Sequence, residues 1–201
     1  MKNVRLFYAT NNKSKLHNMH YRLRDYPVDV LCPDDLHIHV DVEENGASAV
    51  ENARLKAEAY YKIVKMPTIA GDSGAFIQGL SDADQPGLYL RRVKGRVLSD
   101  DEMIAYYAKL AEEASCDCYV HYFTGITMIT EKGTFSMKLG EVPLKLSPIP
   151  NTNRRHKGNP LDVITLTEDG IFFNDLTDQE RTELDKVGEQ EFTDFILRNL
   201  L

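Results

Sequence analysis

The sequence contains little cysteine and no tryptophan. Its cysteines are Cys32, Cys116 and Cys118, an odd number that does not favour a disulfide framework. Cys116 and Cys118 could ligate zinc, but no second pair of Cys or His stands at a suitable spacing, so we expect buried thiols. This cysteine usage favours a reducing, cytoplasmic compartment.

Long apolar runs and excess positive charge are also missing. No segment approaches about 18 consecutive apolar residues, and residues 1–5 lack the apolar core of a secretory signal, so we expect no membrane partner. Lys and Arg number 24 against 31 Asp and Glu, which gives a net charge of −7. That balance argues against sequence-independent binding of nucleic acid, and it suits a free nucleotide better.

The residues that are present predict one domain, residues 1–201, with two lobes. A chain of 201 residues that is 42% hydrophobic can bury one sizeable core. Strand patterns alternate with helix patterns in the first half, and two later runs rich in β-branched and aromatic residues predict a hairpin. We therefore expect an α/β fold, a mixed twisted sheet flanked by helices, with the two lobes around a central cleft. The predicted strands cover residues 4–9, 28–31, 67–70, 118–129, 134–142 and 162–166, and the later helices cover residues 100–113, 178–185 and 189–201.

The polar turn after the first strand, residues 10–15, carries groups that bind anions. It leads into a predicted helix, whose first N–H groups bear partial positive charge, and a hydroxyl, an amide and lysines there would complete a phosphate site. An ordinary N-cap at Asn12 or Ser14, with solvated lysines, explains the same residues equally well. The residues alone leave both interpretations open.

A second helix start follows an acidic turn, residues 43–44. Ser48 and Glu51 have the spacing of a capping box, in which each side chain accepts from the backbone N–H of the other. Asn52 and Lys56 are four residues apart, so they lie on one face of the helix. We expect both to point at one anionic ligand beside the acidic turn.

The apolar run at residues 67–70 leads into Gly71-Asp72-Ser73-Gly74. We expect the strand to stop at Asp72, which would put this residue at the carboxyl end of a strand, where open α/β sheets usually place their sites. Gly71 and Gly74 would let the backbone approach a ligand closely.

These segments resemble motifs of the inosine triphosphatase family, also called the Ham1-like purine nucleoside triphosphate pyrophosphatases. Residues 10–15 are similar to the family's phosphate-binding turn, Thr-x-Asn-x-x-Lys, and residues 44–57 to its Glu-Thr-Gly and Glu-Asn-Ala-x-x-Lys-Ala signature. Residues 69–74 and 86–92 are similar to its Ala-Asp-Asp-Ser-Gly and Pro-Gly-x-Tyr-Ser-Ala-Arg segments. The matches keep the family's order and separation over roughly the first half of the chain.

The resemblance implies a Mg²⁺-dependent hydrolase that converts a nucleoside triphosphate, such as inosine or xanthosine triphosphate (ITP or XTP), to the monophosphate and pyrophosphate. It implies that Glu44 and Asp72 hold the magnesium ion and that Asp72 is also the candidate base for the attacking water. Lys15 and Lys56 would neutralise the triphosphate during catalysis. Family members are commonly dimers, so the resemblance also implies a homodimer. The implied nucleotide-binding residues are Thr10, Asn12, Lys15, Asn52, Lys56, Ser73 and Arg92.

The chain departs from the family pattern at two places. Gly71 stands where the family has the first aspartate of its Asp-Asp pair. The family's C-terminal base-recognition motifs, Phe-Gly-Tyr-Asp-Pro and Ser-His-Arg, have no clear counterpart. Placing residues 159–162 on the first motif leaves only Asp162 in common, and the same placement sets Arg181 at a family lysine and residues 185–187 at Ser-His-Arg. The base preference therefore stays open.

Two other interpretations remain beside a hydrolase. In the first, the chain is a non-catalytic nucleotide-binding protein that has lost turnover. In the second, its polar residues are caps and surface charges on an unrelated α/β domain. Carboxylates beside phosphate repel it unless a metal intervenes, and this argues against a mere binder. The basic residues 154–157 could touch an anionic ligand, but a solvated surface loop is the favoured interpretation.

Overall fold

The computed structural model describes residues 3–114, 117–140, 143–153 and 159–201. Contacts along the backbone divide the chain into two units. Unit 1 comprises Met1–Ser73, Thr124–Gly140 and Asp185–Leu201, and unit 2 comprises Gly74–Phe123 and Glu141–Leu184. The basic residues 154–157 and Cys116 lie outside the described ranges, and the single two-lobed domain stays a prediction.

The chain alternates strands and helices, as expected for an α/β fold. The strands are β1 (Val4–Tyr8), β2 (Val28–Leu31), β3 (Thr68–Ile77), β4 (Arg92–Val93), β5 (Arg96–Val97), β6 (Tyr119–Thr130), β7 (Gly133–Leu139), β8 (Pro143–Leu146) and β9 (Thr165–Leu166). The α-helices are α1 (Lys13–Leu23), α2 (Pro33–Leu36), α3 (Ala49–Val64), α4 (Asp100–Glu113), α5 (Asp178–Leu184) and α6 (Lys186–Leu200). No α-helix in the described ranges is long and apolar enough to cross a membrane.

Unit 1 is built on a mixed sheet with helices on both faces. Strand β1 pairs in parallel with β2 and with β3, and β6 forms an antiparallel hairpin with β7. Because successive strand residues point to opposite faces, Leu6 and Tyr8 pack in one buried cluster with residues of α1 and α6, whereas Phe7 packs in another with Ala57 and Tyr60 of α3. The predicted mixed sheet flanked by helices is confirmed.

Unit 2 has a core of its own under α4. Strand β8 pairs antiparallel with β6 and with β9. Met103, Ile104 and Tyr107 of α4 are buried, and they form one cluster with Cys118 and Leu144. The apolar face predicted for this helix and the buried thiol predicted for Cys118 are confirmed.

Strand β3 is longer than the sequence predicted. We expected it to stop at Asp72, but it continues to Ile77, so Asp72 lies within a strand. Gly74 makes this possible, because a side chain there would overlap the backbone oxygen of Gly87 and the ring of Phe123. Gly74 thus serves the packing of the strand.

The strand predicted at residues 162–166 is shorter than expected. Only Thr165–Leu166 is extended, and Pro160–Val163 forms a 3₁₀ turn. Pro160 fixes the backbone at the first position of that turn, which favours a helical start over a strand.

Candidate active site

The turn between β1 and α1 is a capped helix start. The Asn12 side-chain oxygen accepts from the N–H groups of Ser14 (2.9 Å) and Lys15 (3.1 Å), and the Asn12 N–H donates to the Thr10 hydroxyl (3.2 Å). The N-cap interpretation is therefore confirmed for Asn12. The cap fixes the direction of the first turn, from which the side chain of Lys15 projects.

Lys15 reaches from α1 to β3. Its ammonium group lies 3.4 Å from the Gly71 carbonyl oxygen and 3.4 Å from the Ser73 hydroxyl oxygen. Burial lowers the pKa of Lys15, and the positive charge of Lys56 lowers it further, whereas Asp72 and Glu44 act in the opposite direction. Lys15 thus responds to the charges of Glu44, Lys56 and Asp72 together.

Lys56 and Glu44 form an ion pair across the start of α3. The Lys56 ammonium lies 2.5 Å from Glu44 Oε1, and the two side chains are 19% and 35% exposed. The pair joins the loop before the helix to the second turn of the helix, and both charges stay accessible to a ligand. Glu43, the neighbour of Glu44 in the chain, is exposed, whereas Glu44 is half-buried.

Asn52 holds Asp72 and the loop before α3 in place. Its side chain is 1% exposed, its Nδ2 donates to Asp72 Oδ2 (2.9 Å), and its Oδ1 accepts from the Gly46 N–H (2.8 Å). A side chain at Gly46 would come within 2.9 Å of Asn52 Oδ1, so this approach needs glycine. The oxygen and the nitrogen of the Asn52 amide each have a partner within the protein.

The predicted cap of α3 is confirmed in one of its two bonds. The Ser48 hydroxyl accepts from the Glu51 N–H (3.2 Å). The Glu51 carboxylate accepts from the Ala47 N–H (2.7 Å), so the prediction that it would reach the N–H of Ser48 is wrong by one residue. Either bond satisfies an N–H group at the start of the helix.

Thr124 is a neighbour of these residues that the sequence analysis missed. Its hydroxyl oxygen lies 2.9 Å from that of Ser73. The two residues are 51 positions apart in the chain, and no motif links them. A threonine opposite the Gly71–Gly74 segment could have been suspected only after the pairing partner of β3 was known.

An apolar side chain lies against Gly71. A Cβ atom on Gly71 would lie 2.9 Å from Ile126 Cδ1 and 3.8 Å from the Tyr8 hydroxyl. The Ile126 methyl group therefore occupies the space in which the family's first aspartate would begin. Burial raises the pKa of Tyr8 to about 12, so the adjoining hydroxyl keeps its proton at neutral pH.

Arg92 is the predicted nucleotide-binding residue that lies in unit 2. It is exposed on β4, and its guanidinium carbon lies 5.4 Å from the centre of the Tyr89 ring. The other predicted site residues all belong to unit 1.

Unit 2 contains a largely buried ion pair between Arg181 and Asp162, the residue that aligns with a family motif. Arg181 Nη1 lies 3.1 Å from Asp162 Oδ2, and the two side chains are 14% and 12% exposed. The same guanidinium donates to the Phe173 carbonyl oxygen (2.5 Å) and stacks on the Phe173 ring at 4.6 Å. The aspartate that matches the family motif is thus held by an arginine of its own unit.

The carboxylates of Glu44 and Asp72 suit a magnesium ion that is also bound by water and substrate better than a metal ion bound by protein ligands alone. Within residues 3–114, 117–140, 143–153 and 159–201, no group of three or more His, Cys, Asp or Glu side chains could hold a metal. Mg²⁺ usually takes one or two carboxylates and completes its shell with water and phosphate oxygens. Glu44 and Asp72 provide that number of carboxylates.

Comparisons with known proteins agree on one family. The model of the Ham1 family matches residues 6–183. The dITP/XTP pyrophosphatase of Leptospira interrogans is 36% identical over 93 residues, which are 46% of each chain, so this match spans less than half of that relative. The dITP/XTP pyrophosphatase of Thermoanaerobacter pseudethanolicus is 24% identical over 199 residues, 98% of each chain. The HAM1 protein structure from Coxiella burnetii is similar with a TM-score of 0.76 at 24% identity, over 97% of this chain and 99% of that one, which supports the fold.

Proposed function

Because the chain belongs to the Ham1 family, we propose that it hydrolyses nucleoside triphosphates to the monophosphate and pyrophosphate. One observation carries the proposal: in unit 1 Lys56 is paired with Glu44, and the charges of Lys56, Asp72 and Glu44 all act on Lys15. The names of the relatives, dITP/XTP pyrophosphatases, support a purine base of the inosine or xanthosine type. Water attacks the α-phosphorus, the bond from that phosphorus to the bridging oxygen breaks, and pyrophosphate leaves.

Lys15 and Lys56 bind the phosphates in this proposal. Their two positive charges balance those of Glu44 and Asp72, so the group is close to neutral before a ligand enters. The bonds of Lys15 to Gly71 and Ser73 are long at 3.4 Å. A phosphate oxygen at about 2.8 Å, the usual length of an ammonium–anion hydrogen bond, would bind the ammonium more strongly than either of them.

Glu44 and Asp72 hold a magnesium ion in this proposal. The described bonds engage one oxygen of each carboxylate, Glu44 Oε1 with Lys56 and Asp72 Oδ2 with Asn52. The candidate ligands are the second oxygen of Glu44 and Asp72 Oδ2, which keeps a lone pair beside its bond from Asn52. When bound, Mg²⁺ supplies positive charge against the phosphate oxygens, and this removes the repulsion between two carboxylates and the substrate.

Asp72 is the proposed base, and Asn52 is a residue that positions it. Asn52 fixes one carboxylate oxygen at 2.9 Å, so the other can accept the proton of the attacking water. Asn52 therefore acts through Asp72, which refines the expectation that it binds the nucleotide directly. Thr10 and Asn12 act through the cap of α1, whose N-terminus favours an anion.

Other parts of the proposal rest on the family resemblance and the composition. We propose a homodimer in the cytoplasm that acts on a free nucleotide, without nucleic acid or membrane as partner. Arg92 is a proposed phosphate contact. We propose a base preference that is altered or relaxed relative to the family, because the family's Ser-His-Arg triplet is absent from the sequence.

The test is pyrophosphate release with Mg²⁺ from a panel of triphosphates: ITP, XTP, deoxy-ITP and the common nucleotides. We expect release by the wild type, with a base profile that defines the specificity, and its loss in Asp72→Asn. Binding of every triphosphate without release would instead favour the non-catalytic binder. Gly71, which stands where the family has an aspartate, is the observation on which that alternative would then rest.

A further inference from the structure

We propose that Thr124 is a positioning residue of the polyphosphate site, which acts by holding the Ser73 hydroxyl against Lys15. This inference rests on the proposed function, because it assumes that Lys15 meets phosphate. It adds a residue from β6, a strand that carries none of the motifs used to find the site.

The contacts place Ser73 between two partners. Its hydroxyl oxygen is 3.4 Å from the Lys15 ammonium and 2.9 Å from the Thr124 hydroxyl oxygen. The bond to Thr124 is thus the shorter of the two. All three residues are half-buried, so the bonds are shielded in part while a ligand can still reach them.

Proton accounting shows what this arrangement can offer a ligand. An ammonium group only donates, so Ser73 must accept from Lys15. Ser73 and Thr124 bring two hydroxyl protons, and the bond between them uses one. The described hydrogen bonds give no acceptor for the other, whichever of the two hydroxyls carries it. A phosphate oxygen next to Lys15 would be that acceptor.

The backbone around Thr124 is fixed from two sides. Thr124 pairs with Leu139 in the β6–β7 ladder. The next residue, Gly125, packs directly against the start of α3, where a side chain would overlap the backbone of Ala49 and Val50. The Thr124 hydroxyl is therefore presented by a rigid support, as a positioning residue requires.

The first test is a double-mutant cycle of Thr124→Val and Ser73→Ala, with Thr124→Ser as the conservative variant. Thr124→Val removes the hydroxyl and keeps the volume. We expect it to raise KM for Mg-ITP about ten-fold and to leave kcat within about two-fold, because Ser73 loses the partner that orients it and its bond to the anion weakens equally in the ground and transition states. Thr124→Ser should restore KM, and the double variant should be no worse than Ser73→Ala.

Thr127→Val is the matched control. Thr127 lies on the same strand, it is fully buried, and its hydroxyl bonds to Ser136 at 2.8 Å and to the Val50 carbonyl oxygen at 3.4 Å. The variant should lower the melting temperature at least as much as Thr124→Val and leave KM unchanged. Additive effects in the cycle, or no rescue by Thr124→Ser, would overturn the role of Thr124.

A second readout separates this inference from the proposed hydrolysis. The same cycle is measured as the affinity for magnesium tripolyphosphate, which needs no turnover. Turnover with an additive cycle would refute the role of Thr124 alone. Coupled affinities without turnover would refute hydrolysis alone, and a wild type that neither turns over ITP nor binds polyphosphate would refute both.

Discussion

The ion pairs Lys56–Glu44 in unit 1 and Arg181–Asp162 in unit 2 join the same kinds of charge and differ in their surroundings. Arg181 also has a carbonyl oxygen and an aromatic ring as partners, and both members of its pair are less than 15% exposed. Lys56 and Glu44 are more exposed, and their charges act on Lys15 together with the charge of Asp72. An ion pair with its bonds satisfied holds a fold together, whereas a balanced and accessible group of charges can bind an ion.

The largest expected effect is at Asp72. Asp72→Asn keeps the bond from Asn52 possible but removes the base, so we expect kcat to fall by about 10³-fold. The melting temperature should change little. Pyrophosphate release at saturating ITP and Mg²⁺ measures the effect, and full activity in this variant would refute the assignment of the base.

The next effect compares two lysines in the first turn of α1. Lys15→Ala should lower kcat/KM by about 10²-fold, because a charged contact to phosphate is lost. Lys13 is exposed and paired with Asp34 at 2.8 Å, and this pairing raises its pKa. Lys13→Ala should therefore leave kcat/KM unchanged, and equal losses in the two variants would contradict the distinction between them.

The ion pair of Arg181 and Asp162 in unit 2 should contribute to the stability of the fold. Arg181→Ala leaves Asp162 without its guanidinium, so we expect a loss of about 2 kcal/mol in the free energy of unfolding. Urea denaturation measures it. The control is Arg91→Ala, whose ion pair with Asp100 is much more exposed and should contribute less. A loss no larger than in this control would mean that the Arg181 pair is not structural.

The smallest effect concerns the metal. Glu44→Gln should raise the Mg²⁺ concentration for half-maximal activity about ten-fold, because one of two carboxylates is neutralised. Glu43→Gln changes the exposed neighbour and should have no such effect. A titration of activity with Mg²⁺ compares the two. Equal Mg²⁺ dependence in both variants would remove Glu44 from the proposed metal site.

Local signals predicted the parts of the site that depend on neighbours in the chain. The cap at Asn12, the cap at Ser48 and the shared face of Asn52 and Lys56 follow from spacings of a few residues, and the caps were confirmed. The alternation of strands and helices likewise predicted the mixed sheet.

Features that depend on distant strands could not be predicted. The continuation of β3 beyond Asp72 depends on the approach of Gly87 and Phe123, and the apolar contact at Gly71 depends on Ile126. Thr124 was missed because its partner is 51 residues away. Periodicity gives the type of an element but not the side chains that meet across a sheet.

The most direct test of the central proposal is to identify the products from ITP and Mg²⁺ by ³¹P NMR, with the wild type and with Asp72→Asn. We predict inosine monophosphate and pyrophosphate in equal amounts from the wild type, and neither from the variant in the time that the wild type needs to consume its ITP. Release of orthophosphate and inosine diphosphate, or no products at all from the wild type, would contradict the proposal.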